Sequence, residues 1–259
     1  MNILITNDDG IHAEGLRYLC RELSALGRVY VVAPAEERSG AGHGVTVTQP
    51  LYAQTQELDD VAAAWTVTGT PVDCIKMAME VLLPVRPDVV VSGVNHGPNL
   101  GTDTLYSGTV AAALEGNLYH LPAIAISVTG WNRRFRQPGN LAMAAKVTAW
   151  YCRELCEFSG APLLLNINVP GAAGEKPAGI RYAGLGWRWY KNAIATDRDA
   201  AGNTCYWVSG QIVDGVADGT TDVELAAAGY VTVTPLQYNM TDRQALQELT
   251  GGAIALPQL

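Results

Sequence analysis

Met1-Asn2-Ile3-Leu4-Ile5-Thr6-Asn7-Asp8-Asp9-Gly10 opens the chain. Asn2 to Ile5 is a short, mostly apolar run of the kind that forms a buried strand. It stops in a cluster of polar turn formers that closes on Gly10. An amphipathic helical pattern follows from Ala13 to Leu26, with Leu16, Leu19, Cys20, Leu23 and Leu26 on one stripe. Gly27 ends that pattern, and Val29 to Ala33 is a second strand closed by Pro34. Strand, helix, strand implies a right-handed crossover and a parallel pair. Asp8 and Asp9 therefore sit where a strand hands over to a loop, at the edge of an open α/β sheet where ligands bind. Two adjacent carboxylates repel each other, and each ionises at about pH 4 when unperturbed. Either one pKa rises or a cation sits between them, so the pair reads as half of a divalent-metal site. It reads equally as a solvated turn, because Asp and Gly are common turn residues.

The totals narrow the classes. A chain of 259 residues is long enough for one large α/β domain or two small ones. Its 48% apolar content suits a soluble globular protein. Lys+Arg of 17 against Asp+Glu of 25 gives a net charge of −8, which argues against a stable nucleic-acid complex or an anionic membrane as partner. A small phosphorylated substrate stays open, since a bound metal supplies local positive charge. Met1 leads directly into a strand with no basic segment or long apolar stretch, so no signal peptide is expected. No run of about 18 apolar residues predicts a membrane span. Cys20, Cys74, Cys152, Cys156 and Cys205 lie in helix- or strand-like patterns and are expected to be reduced, which points to the cytoplasm. Cys152 and Cys156 share a helix face but lack the second pair that a zinc site needs.

Further along, Ala35 to His43 is a polar, glycine-containing loop at the same sheet edge as Asp8 and Asp9. Val45 to Tyr52 and Trp65 to Thr68 alternate as strands do. Thr70-Pro71 starts a helix, with Thr as N-cap and Pro at the first position, running to about Leu83. Asp88 to Ser92, with Val89 to Val91 at its centre, is expected as a central strand. It runs into the glycine-rich loop Gly93 to Asp103. Ser107-Gly108-Thr109 opens an alanine-rich helix to about Leu118. Pro122 to Val128 is a strand, Leu141 to Phe158 a helix and Pro162 to Val169 a strand. After Pro170 the pattern weakens. Gly171 to Gly219 reads as a β-rich arm, with strand-like pieces at Ile180 to Ala183 and Thr204 to Val208. Thr221-Asp222 caps a short helix, Gly229 to Thr234 is a strand, and Thr241 to Leu249 is helical. The expectation is an α/β three-layer sandwich with a mostly parallel sheet. Residues 1–170 are expected as its core, and 171–259 as an arm, strand and helix completing the same domain.

Three loops follow three parallel strands: Asp8-Asp9, Glu36 to Gly42, and Asn95 to Asp103. They offer oxygen: two carboxylates, the Ser39 hydroxyl, and an amide carbonyl from Asn95 or Asn99. Hard oxygen ligands select Mg²⁺, Mn²⁺ or Ca²⁺. Ser107-Gly108-Thr109 stands at a helix N-terminus, where free N–H groups and the helix dipole favour an anion. Taken alone, Ser107 is equally a simple cap. A metal site and an anion nest at one sheet edge suggest phosphate-ester chemistry.

Asn7-Asp8-Asp9-Gly10, Arg38-Ser39-Gly40, Gly69-Thr70-Pro71 with Asp73, Ser92-Gly93-Val94-Asn95 continuing through Gly97, Asn99 and Gly101, Tyr106-Ser107-Gly108-Thr109-Val110-Ala111-Ala112, and Gly229 to Leu236 stand in an order that resembles the SurE (survival protein E) family. The resemblance covers nearly the whole chain. It implies a metal-dependent nucleoside-monophosphate phosphatase in which Asp8, Asp9, Ser39 and Asn95 hold one divalent cation, Mg or Mn. Asn99, Ser107, Gly108 and Thr109 would line the phosphate site. It also implies a Rossmann-like core whose β-hairpin and C-terminal arm are exchanged in a homodimer, sometimes assembled into tetramers. No family role falls on His43 or His96.

The chemistry expected is one-metal hydrolysis of a phosphomonoester, on 5′- and 3′-nucleotides, with Asp8 and Asp9 catalytic. Asp9 is the residue expected to orient or deprotonate the water. Other phosphatase designs fit less well: the two aspartates are adjacent rather than separated by one residue, and no Cys-x5-Arg loop is present. Trp187, Trp189, Tyr190 and Trp207 could stack on a nucleobase or belong to an interface. Two alternatives remain at this point, an exopolyphosphatase or RNA exonuclease and a non-catalytic nucleotide-binding module. The first strand is not followed by G-x-G-x-x-G, so a dinucleotide is not the expected ligand.

Overall fold

The computed structural model describes residues 1–129, 140–171, 173–215 and 219–249. The chain runs β1 (Asn2–Thr6), α1 (Glu14–Leu23), β2 (Arg28–Pro34), β3 (Ala53–Gln56), β4 (Ala63–Val67), α2 (Pro71–Met77), β5 (Val89–His96), α3 (Gly108–Leu118), β6 (Ala123–Val128), α4 (Leu141–Glu157) and β7 (Leu164–Val169). The arm and tail follow: β8 (Ile180–Tyr182), β9 (Arg188–Lys191), β10 (Ile194–Arg198), β11 (Thr204–Val208), β12 (Gln211–Asp214), α5 (Asp222–Ala227), β13 (Val231–Leu236) and α6 (Arg243–Leu249). The segment expected as arm and tail continues past 249, outside the described residues.

Nine strands form one sheet in the order β3-β4-β2-β1-β5-β6-β7-β13-β8. The six from β4 to β7 are parallel. β3 runs antiparallel to β4 at one edge, and β13 runs antiparallel to β7 near the other. Both faces are covered, so the central strands are apolar on both sides rather than alternating. Ile3 and Ile5 of β1 enter a core with α1 and α4, while Leu4 enters the opposite core with α2 and α3. The molecule is thus an α/β three-layer sandwich with a mostly parallel sheet.

The order places β2 and β5 on opposite sides of β1. That is a switch point, where the loops after β1 and β5 diverge and leave a crevice at the strands' carboxyl ends. The β5–α3–β6 and β6–α4–β7 units step the same way along the sheet, yet α3 and α4 cover opposite faces. The two crossovers therefore have opposite hands. β1–α1–β2 steps the other way with its helix on the face of α4, so it shares the hand of β5–α3–β6. β6–α4–β7 is the exception to the common rule.

Two expectations are corrected. Val45 to Tyr52 is not a strand; the first strand of that region is β3, further along. Val47 is 82% exposed, and the Thr46 amide and hydroxyl both donate to Asp73, at 3.1 and 2.6 Å. The backbone there is pinned to the start of a helix instead of a neighbouring strand. The strand expected to end at Ser92 continues as β5 to His96, rejoining β6 after an irregularity between Ser92 and Asn95. Asn95 is therefore carried by the sheet rather than by a loop.

Thr70 caps α2 as its sequence indicates. Its hydroxyl accepts from the Asp73 amide at 3.1 Å, and its own amide donates to Asp73 Oδ2 at 2.9 Å, a reciprocal capping box. Burial alone would raise the Asp73 carboxyl, but the hydrogen bonds from Thr46 and Thr70 outweigh it and hold its pKa below the ordinary value. A depressed folded pKa contributes stability that is fully present above the unfolded value of about 3.9. That stability is lost as pH falls through the folded value. Asp73→Asn is therefore expected to cost about 1–3 kcal/mol at neutral pH and far less once the carboxyl is protonated in both states. Urea unfolding at neutral pH and in strong acid tests this; an equal loss at both would refute it.

Candidate active site

Asn7 shapes the first loop. Its side chain donates to the Gly10 carbonyl at 2.8 Å and accepts from the Gly10 amide at 3.1 Å. Gly10 has a φ of +96°, which a side chain would strain. This closed turn turns Asp8 and Asp9 to different neighbours. Asp8 is 4% exposed, and its Oδ1 accepts from the Thr109 hydroxyl at 2.6 Å. Asp9 Oδ2 accepts from the His96 amide at 3.4 Å and lies 3.3 Å from His96 Nδ1.

Burial pushes the Asp8 carboxyl up to about 6; the Thr109 bond opposes this and the charge of Asp9 adds to it. The hydrogen bond to Asp9 holds His96 above its ordinary value. No Lys or Arg among the described residues forms an ion pair with either carboxylate. Among the described residues, the negative charge concentrated in the crevice has no lysine or arginine partner.

The second loop is tied to the first, since the Arg38 amide donates to the Asp8 carbonyl at 2.7 Å. Ser39 is exposed and its hydroxyl donates to Glu37 at 2.8 Å. At the end of β5, Asn95 spends its amide nitrogen on the Gly97 carbonyl at 2.9 Å, which leaves its Oδ1 as the free end. Asn99 is buried in a polar bracket. Its amide donates to Asn168 at 2.9 Å, its side chain donates to Ser127 at 2.8 Å, and its carbonyl accepts from Asn166 and Asn168 at 2.8 and 3.0 Å.

Ser107 caps α3, accepting from the Val110 amide at 3.0 Å. Gly108 lies against Asp8: an added Cβ would stand 3.0 Å from Asp8 Oδ2 and 3.2 Å from Pro71. Thr109 turns inward, meeting Asp8 through its hydroxyl. Of the eight residues singled out in the sequence, Asp8, Ser39, Asn95, Asn99 and Ser107 line one cavity of about 810 Å³. Asp9 adjoins it through His96, which does line it. Gly108 and Thr109 stand behind Asp8.

Several residues of the site escaped the sequence reading. His96 carried no pairing signal because its partner is 87 residues away. Asp103 and Arg188 join across 85 residues, with Arg188 Nη1 3.2 Å from the Asp103 carboxylate; Tyr190, already singled out as an aromatic for a base or an interface, places its hydroxyl 2.9 Å from the same carboxylate. Asn166 and Asn168 gave a usable hint, as two amides spaced by two on an apolar strand share one face and need partners.

Known proteins have the same build. The family model described as Survival protein SurE matches residues 3–192. A protein of Heliobacterium modesticaldum named 5′-nucleotidase SurE is 44% identical over 252 residues, covering 96% of this chain and 91% of its own. One of the same name from Picosynechococcus is 42% identical over 265 residues, covering 96% and 95%. The crystal structure of the Aquifex aeolicus SurE protein superposes with a TM-score of 0.78 at 36% identity, over 96% of this chain and 98% of that one. With that much of its length and its β1, β5 and α3 loops accounted for, the chain belongs to the SurE family.

Proposed function

We propose that this protein is a divalent-metal-dependent phosphomonoesterase acting on nucleoside 5′-monophosphates, and on 3′-monophosphates, releasing nucleoside and phosphate. The observation that carries the reading is the contact of the α3 N-terminus with Asp8, within 3.0 Å of a Cβ placed on Gly108. Amides that favour an anion and carboxylates that favour a cation then share one wall, which is what a metal-assisted phosphate ester requires. The relatives named 5′-nucleotidase support the nucleotide as substrate.

The donor set fits a hard cation. Asp8 retains Oδ2, Asn95 its Oδ1, and Ser39 its lone pairs, since the hydroxyl is a donor to Glu37. Together with Asp9 they offer oxygen only, and the raised Asp8 carboxyl marks a negative charge awaiting compensation. Asp8, Asp9, Ser39 and Asn95 would hold one Mg²⁺ or Mn²⁺, which supplies Lewis acidity toward phosphoryl oxygens and a more acidic water.

The chain's own groups do the rest. The amides at Ser107 to Thr109 receive the phosphoryl oxygens as their charge develops, with Asn99 beside them. Thr109 holds Asp8 in place while doing so. Asp9, turned by His96, orients the attacking water and accepts its proton. Phosphate release from nucleoside monophosphates is expected with Mg²⁺ or Mn²⁺, to be lost in EDTA and restored by excess metal. Release indifferent to the chelator defeats the metal assignment, and no release from any nucleotide leaves only a binding module.

The same reading takes residues 1–170 as the catalytic core and 171–259 as the part that completes the sheet and the oligomer interface. We place the protein as a homodimer, or a tetramer built from it. Tyr206, Trp207 and Val208 of β11 are 62–90% exposed, large apolar side chains bare on both faces of a two-stranded ribbon, which supports the arm as an interface. No helix among the described residues is long and apolar enough to cross a membrane. All five cysteines are free, three of them buried, in keeping with a cytoplasmic setting.

A further inference from the structure

The cavity extends well beyond the phosphate cradle. Its inner wall is Asp8, Asn95 and Ser107; its outer wall is the arm, through Tyr190, Val208 and Gly210. A space of about 810 Å³ is in the range of pockets that take a whole small molecule. Of the four arm aromatics, Tyr190 is the one that lines it. Trp187, Trp189 and Trp207 are 51–70% exposed elsewhere on the arm.

Tyr190 is held. Its hydroxyl donates to Asp103 Oδ1 at 2.9 Å. Asp103 is in turn fixed by Arg188, whose Nη1 lies 3.2 Å from Oδ2, and Arg188 is fixed by Asp214 at 2.7 Å from Nε. Arg188 is 8% exposed, so the network is built into the base of the arm. Behind the ring, β9 and β12 pack closely: a Cβ on Gly210 would stand 2.9 Å from the Lys191 carbonyl oxygen, and its φ is +125°. An aromatic ring locked at two ends presents a flat face at little entropic cost.

The charge of this outer half is as telling as its shape. Among the described residues no Lys or Arg lines the cavity, and Asp103 does. The nearby cation, Arg188, is already spent on Asp103 and Asp214. A second phosphate placed here would face a carboxylate with no compensating side chain among the described residues, which disfavours it. A neutral aromatic group meets a ring and, in Asp103, an acceptor for hydroxyls.

We infer that the arm wall of Tyr190, set by the Asp103–Arg188–Asp214 network, is the seat of the nucleoside, and that it makes the site selective for monophosphates over polyphosphate chains. The inference rests on the phosphomonoesterase reading for where the phosphate lies, but it concerns the other half of the cavity.

The test compares the four common nucleoside monophosphates with ribose 5-phosphate, which lacks the base, and with inorganic tripolyphosphate. Wild-type protein is expected to favour at least one nucleoside monophosphate over tripolyphosphate by about tenfold or more in kcat/KM. Tyr190→Ala is expected to lower the nucleotide-to-ribose 5-phosphate ratio of kcat/KM by about tenfold, mainly through KM, in line with loss of one stacked base. Tyr190→Phe, which keeps the ring, should retain most of that ratio. Equal losses on nucleotide and ribose 5-phosphate, an unchanged ratio, or efficient tripolyphosphate hydrolysis by the wild type each overturn the seat. Calorimetric titration with unphosphorylated nucleosides judges it independently of turnover: binding that Tyr190→Ala abolishes supports it, and binding indifferent to that change refutes it. Absence of hydrolysis of every ester would instead overturn the phosphomonoesterase reading, with the titration still deciding the seat.

Discussion

Asp9→Asn is expected to lower kcat about a thousandfold while leaving the fold in place. The substitution is nearly isosteric, and its oxygen can still accept from the His96 amide, which lies 3.4 Å from Asp9 Oδ2. What it removes is a proton acceptor and one of two negative charges. General base removal alone is worth about a hundred- to ten-thousandfold, and a divalent cation held by fewer anionic oxygens binds more weakly. The loss should therefore appear in kcat at saturating metal and, separately, as a higher metal concentration for half-activity. Thermal unfolding without metal should change little, because the variant relieves repulsion between neighbouring carboxylates. Steady-state kinetics across a metal titration measures both effects. Activity within tenfold of wild type would remove Asp9 from the proposed mechanism.

A large effect on stability is expected from Gly15→Ala. Gly15 lies in the first turn of α1, and a Cβ there would stand 2.2 Å from the Val94 carbonyl oxygen and 3.1 Å from Val94 Cβ. The nearest obstacle is backbone, so no rotamer change relieves the overlap. Either α1 lifts off the sheet or β5 is displaced. Both disturb the core that Leu16, Leu19 and Leu23 build with Val89 and Val91. Overpacking of this kind costs about 1–3 kcal/mol, which for a chain of this size lowers Tm by about 2–4 °C for each kcal/mol. Because Asn95 follows Val94 directly, activity should fall with stability. Circular dichroism melting of the variant decides it; an unchanged Tm would mean that helix and strand are less closely docked than their backbones imply.

The core was legible because both faces of the sheet are covered. Val89 to Val91 is apolar throughout and Ala123 to Val128 is apolar but for Ser127, and the helices between them carry clear stripes or caps. The placing of Asp8 and Asp9 could be read for a related reason: a buried strand that stops in a polar turn puts the next residues at the sheet edge. Legibility failed where the deciding partner is distant. Val45 to Tyr52 alternates like a strand, but Thr46 found Asp73 instead. Ser107 was read as a cap and is one. The inward turn of Thr109 toward Asp8, 101 residues away, left no local trace. The opposite hand of the β6–α4–β7 unit was equally invisible, since nothing in α4's own sequence says which face of the sheet it will cover.

The bracket beneath Asn99 bears on how a substrate enters. Glycine-rich spans beside active sites are natural hinged covers, and Gly97 to Asp103 has the composition for one. It is instead trussed at three separate places. Asn99 is fastened to β7 by Asn166 and Asn168, the Gly101 amide to Asp222 at the start of α5, and Asp103 to Arg188 and Tyr190 of the arm. Swinging this span outward would break bonds to all three at once. The opposite rim of the doorway is the exposed stretch from Glu36 to Gly40, where the Arg38 amide rests on the Asp8 carbonyl. The span that holds Asn99 is tied to β7, α5 and the arm, while the rim that carries Ser39 is exposed, so one proposed cation ligand stands on the exposed side of the entrance and the other three on the sheet side.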